Sequence, residues 1–565
     1  MTDTTVIDPV VRARAWMAGD PDPVTRTEMQ LLLDTGDTEE IADRMAGAIA
    51  FGTAGLRGRV EAGSNRMNRA TVIRATKGLA DYLNSRDDPE SDAPVVVGYD
   101  ARLSSRQFTE DTVGVLAAAG IPVVMFDEFV PTPLVAYAAL QYGARAAVVV
   151  TASHNPPADN GYKVYDRNGA QIIPPVDGLI SAAIDTAPPA NEISIAAIDH
   201  DLVSIAPMSV FDDYLNDMAS IRTPADGAPD VTVAYSAMHG VGGRFIIEAL
   251  DHFGYRDVHV VPEQFEPDGT FPTVAFPNPE ESGAMDLLMR TAASCRADVA
   301  LANDPDADRL AVAVNDGSGW TPLTGNQIGW ILGDYLLAHY DGADPFVGMS
   351  VVSSPLLTAI ADANGAECRL TLTGFKWIWN AALDFDSTGD SFLFGYEEAL
   401  GYSIGPAVRD KDGLSAAVVM VDLVARLKAD GTTLSEHLAR LGERYGRWVS
   451  LQLSVKRHGV DGADEIAGMM DRLRVDPPTT IRGIGVTDVR DFSVGADDRP
   501  RYLPASNLIE LLLGDRGRVL IRPSGTEPKL KIYVDLVALA DETLVEAEED
   551  ARLVAEDVVA RIASE

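Results

Sequence analysis

Apolar positions in this chain gather into short runs, each ending in a polar or glycine-bearing turn and each followed by a stretch at helical spacing. Val95-Val-Val-Gly-Tyr99 runs into Asp100-Ala-Arg102, a helical stretch closes near Gly120, and Ile121-Pro-Val-Val-Met-Phe126 follows. Such runs read as buried strands, and the spaced stretches between them as helices. The same order recurs from Val231-Thr-Val-Ala-Tyr235, with a helix to Gly254 and a strand at Val258, and again from Phe346, with a helix to Gly365 and a strand around Cys368-Arg-Leu-Thr-Leu372. Three strand–helix–glycine–strand units predict three similar α/β domains.

Each unit extends to one further strand. Ala146-Ala-Val-Val-Val150 leads to Ser153, Ala297-Asp-Val-Ala-Leu-Ala-Asn303 to Asp304, and Asp390-Ser-Phe-Leu-Phe-Gly-Tyr396 to Glu397. Equivalent strand ends therefore present a serine, an aspartate and a glutamate, and ligands bind at strand ends in open α/β sheets. Residues 1–50 read as a helical lead-in. Beyond about residue 445 the pattern changes. Trp448-Val-Ser-Leu-Gln-Leu-Ser-Val455 alternates like a half-buried strand, and the tail from Asp541 reads as an acidic amphipathic helix. This predicts a fourth, smaller α+β domain.

Composition adds little to the fold but narrows the partners. Apolar and charged shares of 46% and 23% are those of a globular protein. A net charge of −39 argues against nonspecific binding to nucleic acid or anionic membrane. No apolar run is long enough to span a bilayer, and Met1-Thr-Asp-Thr-Thr5 lacks the regions of a secretory signal. With only Cys295 and Cys368, a reducing, cytoplasmic setting is expected. Of the eight lysines, Lys163, Lys376, Lys411, Lys529 and Lys531 lie in or beside the motifs below, which suggests local anion sites within an acidic surface.

Thr151-Ala-Ser153-His154-Asn155-Pro156-Pro157 places a hydroxyl at the end of a buried strand. It lacks the Gly-x-Ser-x-Gly elbow of a hydrolase, and no lysine precedes Ser or Thr as a Walker loop requires. Asp304-Pro-Asp306-Ala-Asp308-Arg309 sets three carboxylates at alternate positions, which repel unless a cation sits among them; all-oxygen donors suit Mg²⁺. Arg309 and Asn315 stand where a calcium-binding loop of similar start needs Gly and Glu. Arg522-Pro-Ser524-Gly525-Thr526-Glu-Pro-Lys529 has the inventory of a phosphate cradle. Two strings stay open on their residues alone. Phe51-Gly-Thr-Ala-Gly-Leu-Arg57-Gly58 is either an arginine offered to a phosphate or a solvated turn. Glu397-Glu398 before Gly401 either accepts sugar hydroxyls or starts a helix. Gly240-Val-Gly242-Gly243-Arg-Phe245 lacks the third glycine of a dinucleotide fingerprint and reads as strand–helix packing.

Taken in order, these strings resemble the α-D-phosphohexomutase superfamily over residues 50–535, and Thr373-Gly374-Phe-Lys376 matches it as well. Asn160-Gly-Tyr-Lys-Val-Tyr165, Glu397-Glu-Ala-Leu-Gly-Tyr402 and Lys411-Asp-Gly413 resemble its longer phosphoglucomutase branch, which includes phosphopentomutase-like members. The resemblance implies an α/β protein of three similar mixed-sheet domains plus a smaller C-terminal α+β domain around a central cleft. Its segments would be a lead-in (1–50), a phosphoserine domain (51–208), a metal-binding domain (209–325), a sugar-binding domain (326–445) and a phosphate-binding domain (446–565). It implies that Ser153 carries a phosphate which, with Asp304, Asp306 and Asp308, holds one Mg²⁺. Lys163 would be the general acid/base, its pKa lowered by the metal and nearby arginines. His154, Arg57 and Arg309 would neutralise the transferring phosphoryl group. Lys376, Glu397 and Glu398 would bind the sugar, and Arg522, Ser524, Gly525, Thr526 and Lys529 its distal phosphate. The implied reaction interconverts hexose 1- and 6-phosphates, glucose foremost, through glucose 1,6-bisphosphate. Mannose or pentose phosphates are the alternative, because Ala399 stands where many hexomutases have a serine.

Overall fold

The three repeated units fold alike. In a computed structural model describing residues 8–86, 92–224, 227, 230–457, 462–524 and 529–563, the chain forms two compact units. One comprises residues 1–323 and 401–426, the other 324–400 and 427–565.

In the first unit, strands β1 (Leu56–Arg59), β2 (Val95–Tyr99), β3 (Val123–Met125), β4 (Ala146–Val150), β5 (Asp159–Asp166) and β6 (Val203–Ile205) make one mixed sheet in the order β1-β5-β4-β2-β3-β6. β4, β2, β3 and β6 pair in parallel, whereas β5 pairs antiparallel with β4 and with β1. β2 and β4 are buried along their whole length, and runs without a charged residue, Val-Val-Val-Gly-Tyr and Ala-Ala-Val-Val-Val, suit strands covered on both faces. A second mixed sheet runs β11-β10-β9-β7-β8, from β7 (Val233–Ser236), β8 (Val258–Val260), β9 (Val299–Ala302), β10 (Ala311–Asn315) and β11 (Trp320–Pro322). In the second unit, β12 (Phe346–Ser350) pairs in parallel with β13 (Glu367–Thr371) and β14 (Phe392–Glu397).

In all three sheets the first strand of the repeat is flanked by the second on one side and the third on the other: β4-β2-β3, β9-β7-β8 and β14-β12-β13. The predicted repetition therefore holds in the pairing pattern. Ser153, Asp304 and Glu397 sit at the carboxyl ends of the equivalent strands β4, β9 and β14.

The lead-in is helical as expected. Its helices Pro9–Gly19, Pro23–Thr35 and Thr38–Arg44 are each capped by an aspartate, Asp8, Asp22 and Asp37, which accepts a first-turn N–H. They are tied to the first unit by Glu28, which accepts from Ala62 N at 3.0 Å and pairs with Arg44. The C-terminal sheet is antiparallel, built from Trp448–Lys456, Lys529–Val537, Gly517–Pro523, Ile509–Leu512 and Asp488–Asp491 in that order and backed by helix Leu544–Ala563. No helix among the described residues is long and apolar enough to cross a membrane.

Candidate active site

Ser153 leaves β4 in a left-handed conformation, φ 48°, and is 3% exposed. Its amide donates to Thr151 Oγ1 (2.8 Å), which donates in turn to the buried Asp100. Its Oγ donates to Asp304 Oδ2 at 2.6 Å and lies 3.0 Å from His154 Nδ1. Beside the loop, Arg57 on β1 stands opposite Gly161 on β5 and donates to Asn155 Oδ1 at 3.0 Å. Gly161 is required there: a Cβ would lie 2.4 Å from Thr151 O and 2.9 Å from Leu56 O.

Asp304, Asp306 and Asp308 are buried after β9, each offering an oxygen within 4.8 Å of the others. The loop is shaped by Ala307 at φ 54° and by close packing against Gly240, where a Cβ would meet Pro305 Cα at 2.4 Å. The glycine string at 240–243 is thus a packing surface for this loop and for the following helix. Asp304 Oδ1 accepts from Arg309 N (3.0 Å), Asp306 Oδ2 from Thr132 Oγ1 (2.7 Å) and from Lys163 Nζ (2.8 Å), and Asp308 Oδ2 from Lys163 Nζ (2.9 Å). Lys411 Nζ stands 3.2 Å from Asp308 Oδ2. Arg309 lies 3.9 Å from both Asp304 and Asp308.

Burial opposes ionisation of all three carboxyls. Asp304 is pushed well above the usual range by burial and then by Asp306 and Asp308, whereas Lys163 and Lys411 hold Asp306 and Asp308 below it. Asp306 Oδ1 and Asp308 Oδ1 are buried with no hydrogen-bond partner. Buried carboxylate oxygens are rarely left so. Two spare oxygens beside Asp304 and a serine hydroxyl fit a hard divalent cation that takes oxygen ligands.

Two titrating groups border the aspartates. Burial opposes the charge on Lys163, but Asp306 and Asp308 in direct contact outweigh it and raise the lysine above its ordinary value. His154 goes the other way: burial, then Arg309 and Arg57, press it well below 6.5. An imidazole so placed is neutral and can donate one hydrogen bond.

In the second unit, Glu397 at the end of β14 accepts from Gly374 N, at the head of the helix carrying Lys376. Gly374 sits at φ 120°, with the Lys376 Cε 3.2 Å from where a Cβ would be. Arg522 donates to Thr373 Oγ1 (2.9 Å) and Tyr533 OH (3.2 Å). Burial works against its charge, and Tyr533, Glu398 and Glu397 hold its pKa above the ordinary value. Glu398 accepts from Ser350 Oγ and Ser353 Oγ (3.1 and 3.4 Å). One surface thus gathers the loop before Lys376, both glutamates and Arg522. Ser524 and Lys529 face each other across the strand ends, Ser524 N donating to Lys529 O at 2.7 Å. Gly525 and Thr526 lie outside the described residues.

The motif reading overlooked Arg102 and Thr132 and gave Lys411 no role. Arg102 spends its donors on backbone carbonyls, and Thr132, the first residue of helix Thr132–Gln141, reaches Asp306. The only available signal was position, since Asp100-Ala-Arg102 follows a buried strand, as Ser153 and Asp304 do.

Four consecutive segments match the domains of one enzyme type: phosphoglucomutase/phosphomannomutase α/β/α domain I at residues 48–190, domain II at 212–317, domain III at 324–445 and the C-terminal domain at 486–554. The chain is 42% identical over 495 residues to a Haemophilus influenzae protein named "Probable phosphomannomutase", covering 86% of this chain and 97% of that one. It is 35% identical over 556 residues to the mouse protein named phosphopentomutase, covering 93% and 89%. Its fold is also that of the phosphoglucomutase parafusin from Paramecium, with TM-score 0.68, 18% identity and coverage of 90% and 95%. The chain is therefore an enzyme of the phosphotransferring mutase class. Within that class it belongs to the phosphoglucomutase/phosphomannomutase family of the α-D-phosphohexomutase superfamily.

Proposed function

We propose that this enzyme interconverts hexose 1-phosphate and hexose 6-phosphate, glucose foremost, by way of a phosphate carried on Ser153 and a hexose 1,6-bisphosphate. The observation that carries the reading is the 2.6 Å hydrogen bond from Ser153 Oγ to Asp304, in a buried pocket where Asp306 and Asp308 keep spare oxygens. The P–O bond to Ser153 Oγ breaks as one forms to the free sugar hydroxyl. The hydroxyl gives up its proton and the serine oxygen gains one. Lys163 serves as the general acid/base of this exchange. Asp304, Asp306, Asp308 and the serine phosphate would hold a divalent cation, Mg²⁺ by their donor set, which would offset the phosphoryl charge. Arg57 and Arg309 add positive charge, and neutral His154 adds a hydrogen bond.

The bisphosphate then turns over and its other phosphate returns to Ser153. That demands a distal surface serving both orientations. Arg522, Ser524, Gly525, Thr526 and Lys529 take the non-reacting phosphate, while Glu397, Glu398 and Lys376 take hydroxyls. Domains laid out as 51–208, 209–325, 326–445 and 446–565 divide this labour into phosphoserine, metal, sugar and distal phosphate.

Phosphomannomutase or phosphopentomutase activity is the second reading, favoured by the names of the two relatives and by Ala399, which offers no hydroxyl contact. Initial rates on glucose 1-phosphate, mannose 1-phosphate and ribose 1-phosphate, with catalytic bisphosphate and Mg²⁺, separate the two. Glucose is expected to be fastest, and a faster ribose 1-phosphate transfers the assignment to the pentose. Ser153→Ala is expected to lose at least about 10³-fold in kcat with the fold intact. Wild-type turnover in that variant would overturn the role of Ser153.

A further inference from the structure

Ser153 combines the oxygen proposed to react with a left-handed backbone, φ 48°, that L-residues avoid. The residue that holds it there is Arg102, 4% exposed and anchored directly after β2. Arg102 Nη2 donates to the carbonyls of Ser153 (2.7 Å) and Asn155 (2.6 Å), and Nη1 to those of Pro156 (2.7 Å) and Asp159 (2.8 Å). One guanidinium thus collects four carbonyls from seven consecutive residues. Asp100 sits 3.3 Å from Arg102 Nε and, through Thr151, also governs the Ser153 amide. Both peptide groups flanking the serine therefore lead back to the Asp100–Arg102 turn.

The turn is closed from the second sheet's side of the same unit. The Phe271 ring lies 5.2 Å from the guanidinium carbon. Gly269 approaches so closely that a Cβ would stand 2.6 Å from Ala101 O and 2.8 Å from Arg102 Cα.

We propose that Arg102 is the positioning residue of the phosphoryl carrier: its planar fork fixes the Ser153 loop in the left-handed shape that aims Oγ at the three aspartates. This rests on the reading of Ser153 as that carrier. Four carbonyls turned toward one point repel each other unless a cation with spread, coplanar donors sits between them. Lysine, a point charge with three donors on a flexible stem, cannot reproduce that fork.

Arg102→Lys, compared with wild type, tests this. Displacement of about 1 Å at a reacting group costs on the order of 10²-fold, so kcat is expected to fall by about that factor. KM for glucose 1-phosphate should stay within about threefold, because the hydrogen bonds of Arg102 go to the Ser153 loop of the first unit. Amide hydrogen exchange at residues 153–155 should quicken at least about tenfold, with the strands β12–β14 unchanged. Unchanged exchange in the loop with kcat within about threefold of wild type would overturn the proposal, as would an equal loss of protection throughout the first unit. Gly269→Ala, which crowds the Arg102 backbone without removing a charge, is the second variant. It should show the same split between kcat and KM, and its failure to alter either loop exchange or kcat would also count against the proposal. A wild-type enzyme that turned over no sugar phosphate would defeat the functional reading, while the exchange measurements would still decide whether Arg102 holds the loop.

Discussion

Replacing Lys163 with methionine removes an ammonium that bridges Asp306 and Asp308. The side chain is 5% exposed and its contacts are 2.8 and 2.9 Å. At an effective dielectric of ~20, one such contact is worth about 6 kcal/mol of gross attraction. Desolvation of the ammonium offsets much of it. What survives is the cost of stranding buried charge, about 3–5 kcal/mol when one partner is deleted. In EDTA at neutral pH, amides of β4, β5 and β9 should therefore exchange about 10²–10⁴-fold faster in Lys163→Met than in wild type. The pH dependence has a definite sign. Lys163 keeps Asp306 below the ordinary carboxylate range, so its contribution is present above that range and lost as pH falls through the native value. In the variant, burial without the ammonium drives the carboxyl upward, so the deficit should shrink as the pH is lowered and the group protonates. Adding Mg²⁺ should narrow it too, since a cation among the carboxylates does the work of the missing ammonium. Protection within about threefold of wild type, in EDTA at neutral pH, would refute the charge argument.

Two more outcomes follow from the geometry. At pH 6.5, where a free imidazole is half protonated, His154 should remain neutral, visible in its ring ¹⁵N shifts; a half-protonated ring at that pH would contradict the burial and arginine effects assigned to it. Arg522→Leu should cut kcat/KM by about 10²-fold, largely through KM, on the proposed role of Arg522 in holding the non-reacting phosphate. An effect confined to kcat would place Arg522 at the reacting phosphate instead.

Much of the site was legible because its chemistry is concentrated in short strings that each finish a buried strand. Ser153, the three aspartates and Glu397 could be found from where apolar runs stop. Arg102 could not, since its hydrogen bonds to the Ser153 loop go to backbone carbonyls, which no side-chain pattern marks. Thr132 meets Asp306 across 174 positions, which no local pattern encodes. For a related reason a sequence cannot apportion the fields at Lys163: it shows that aspartates, arginines and a lysine are present, but distance decides whose field prevails. The helical lead-in was readable from its spacing, and its anchoring through Glu28 to Ala62 was not.

The return of residues 401–426 to the first unit has a practical meaning for anyone who would cut this enzyme in two. A fragment stopping at Leu323 would take along the serine and the three aspartates yet leave open the seats of four acidic or basic partners. Tyr165 would lose Asp410 (2.5 Å), Tyr214 would lose Asp412 (2.7 Å), Arg222 would lose its two-pronged grip on Asp422, and Asp308 would lose Lys411. Gly401 also bridges Arg309, at the exit of the aspartate loop. The catalytic half is thus written in two separate passages of the chain, and a working excision has to splice the second onto the first.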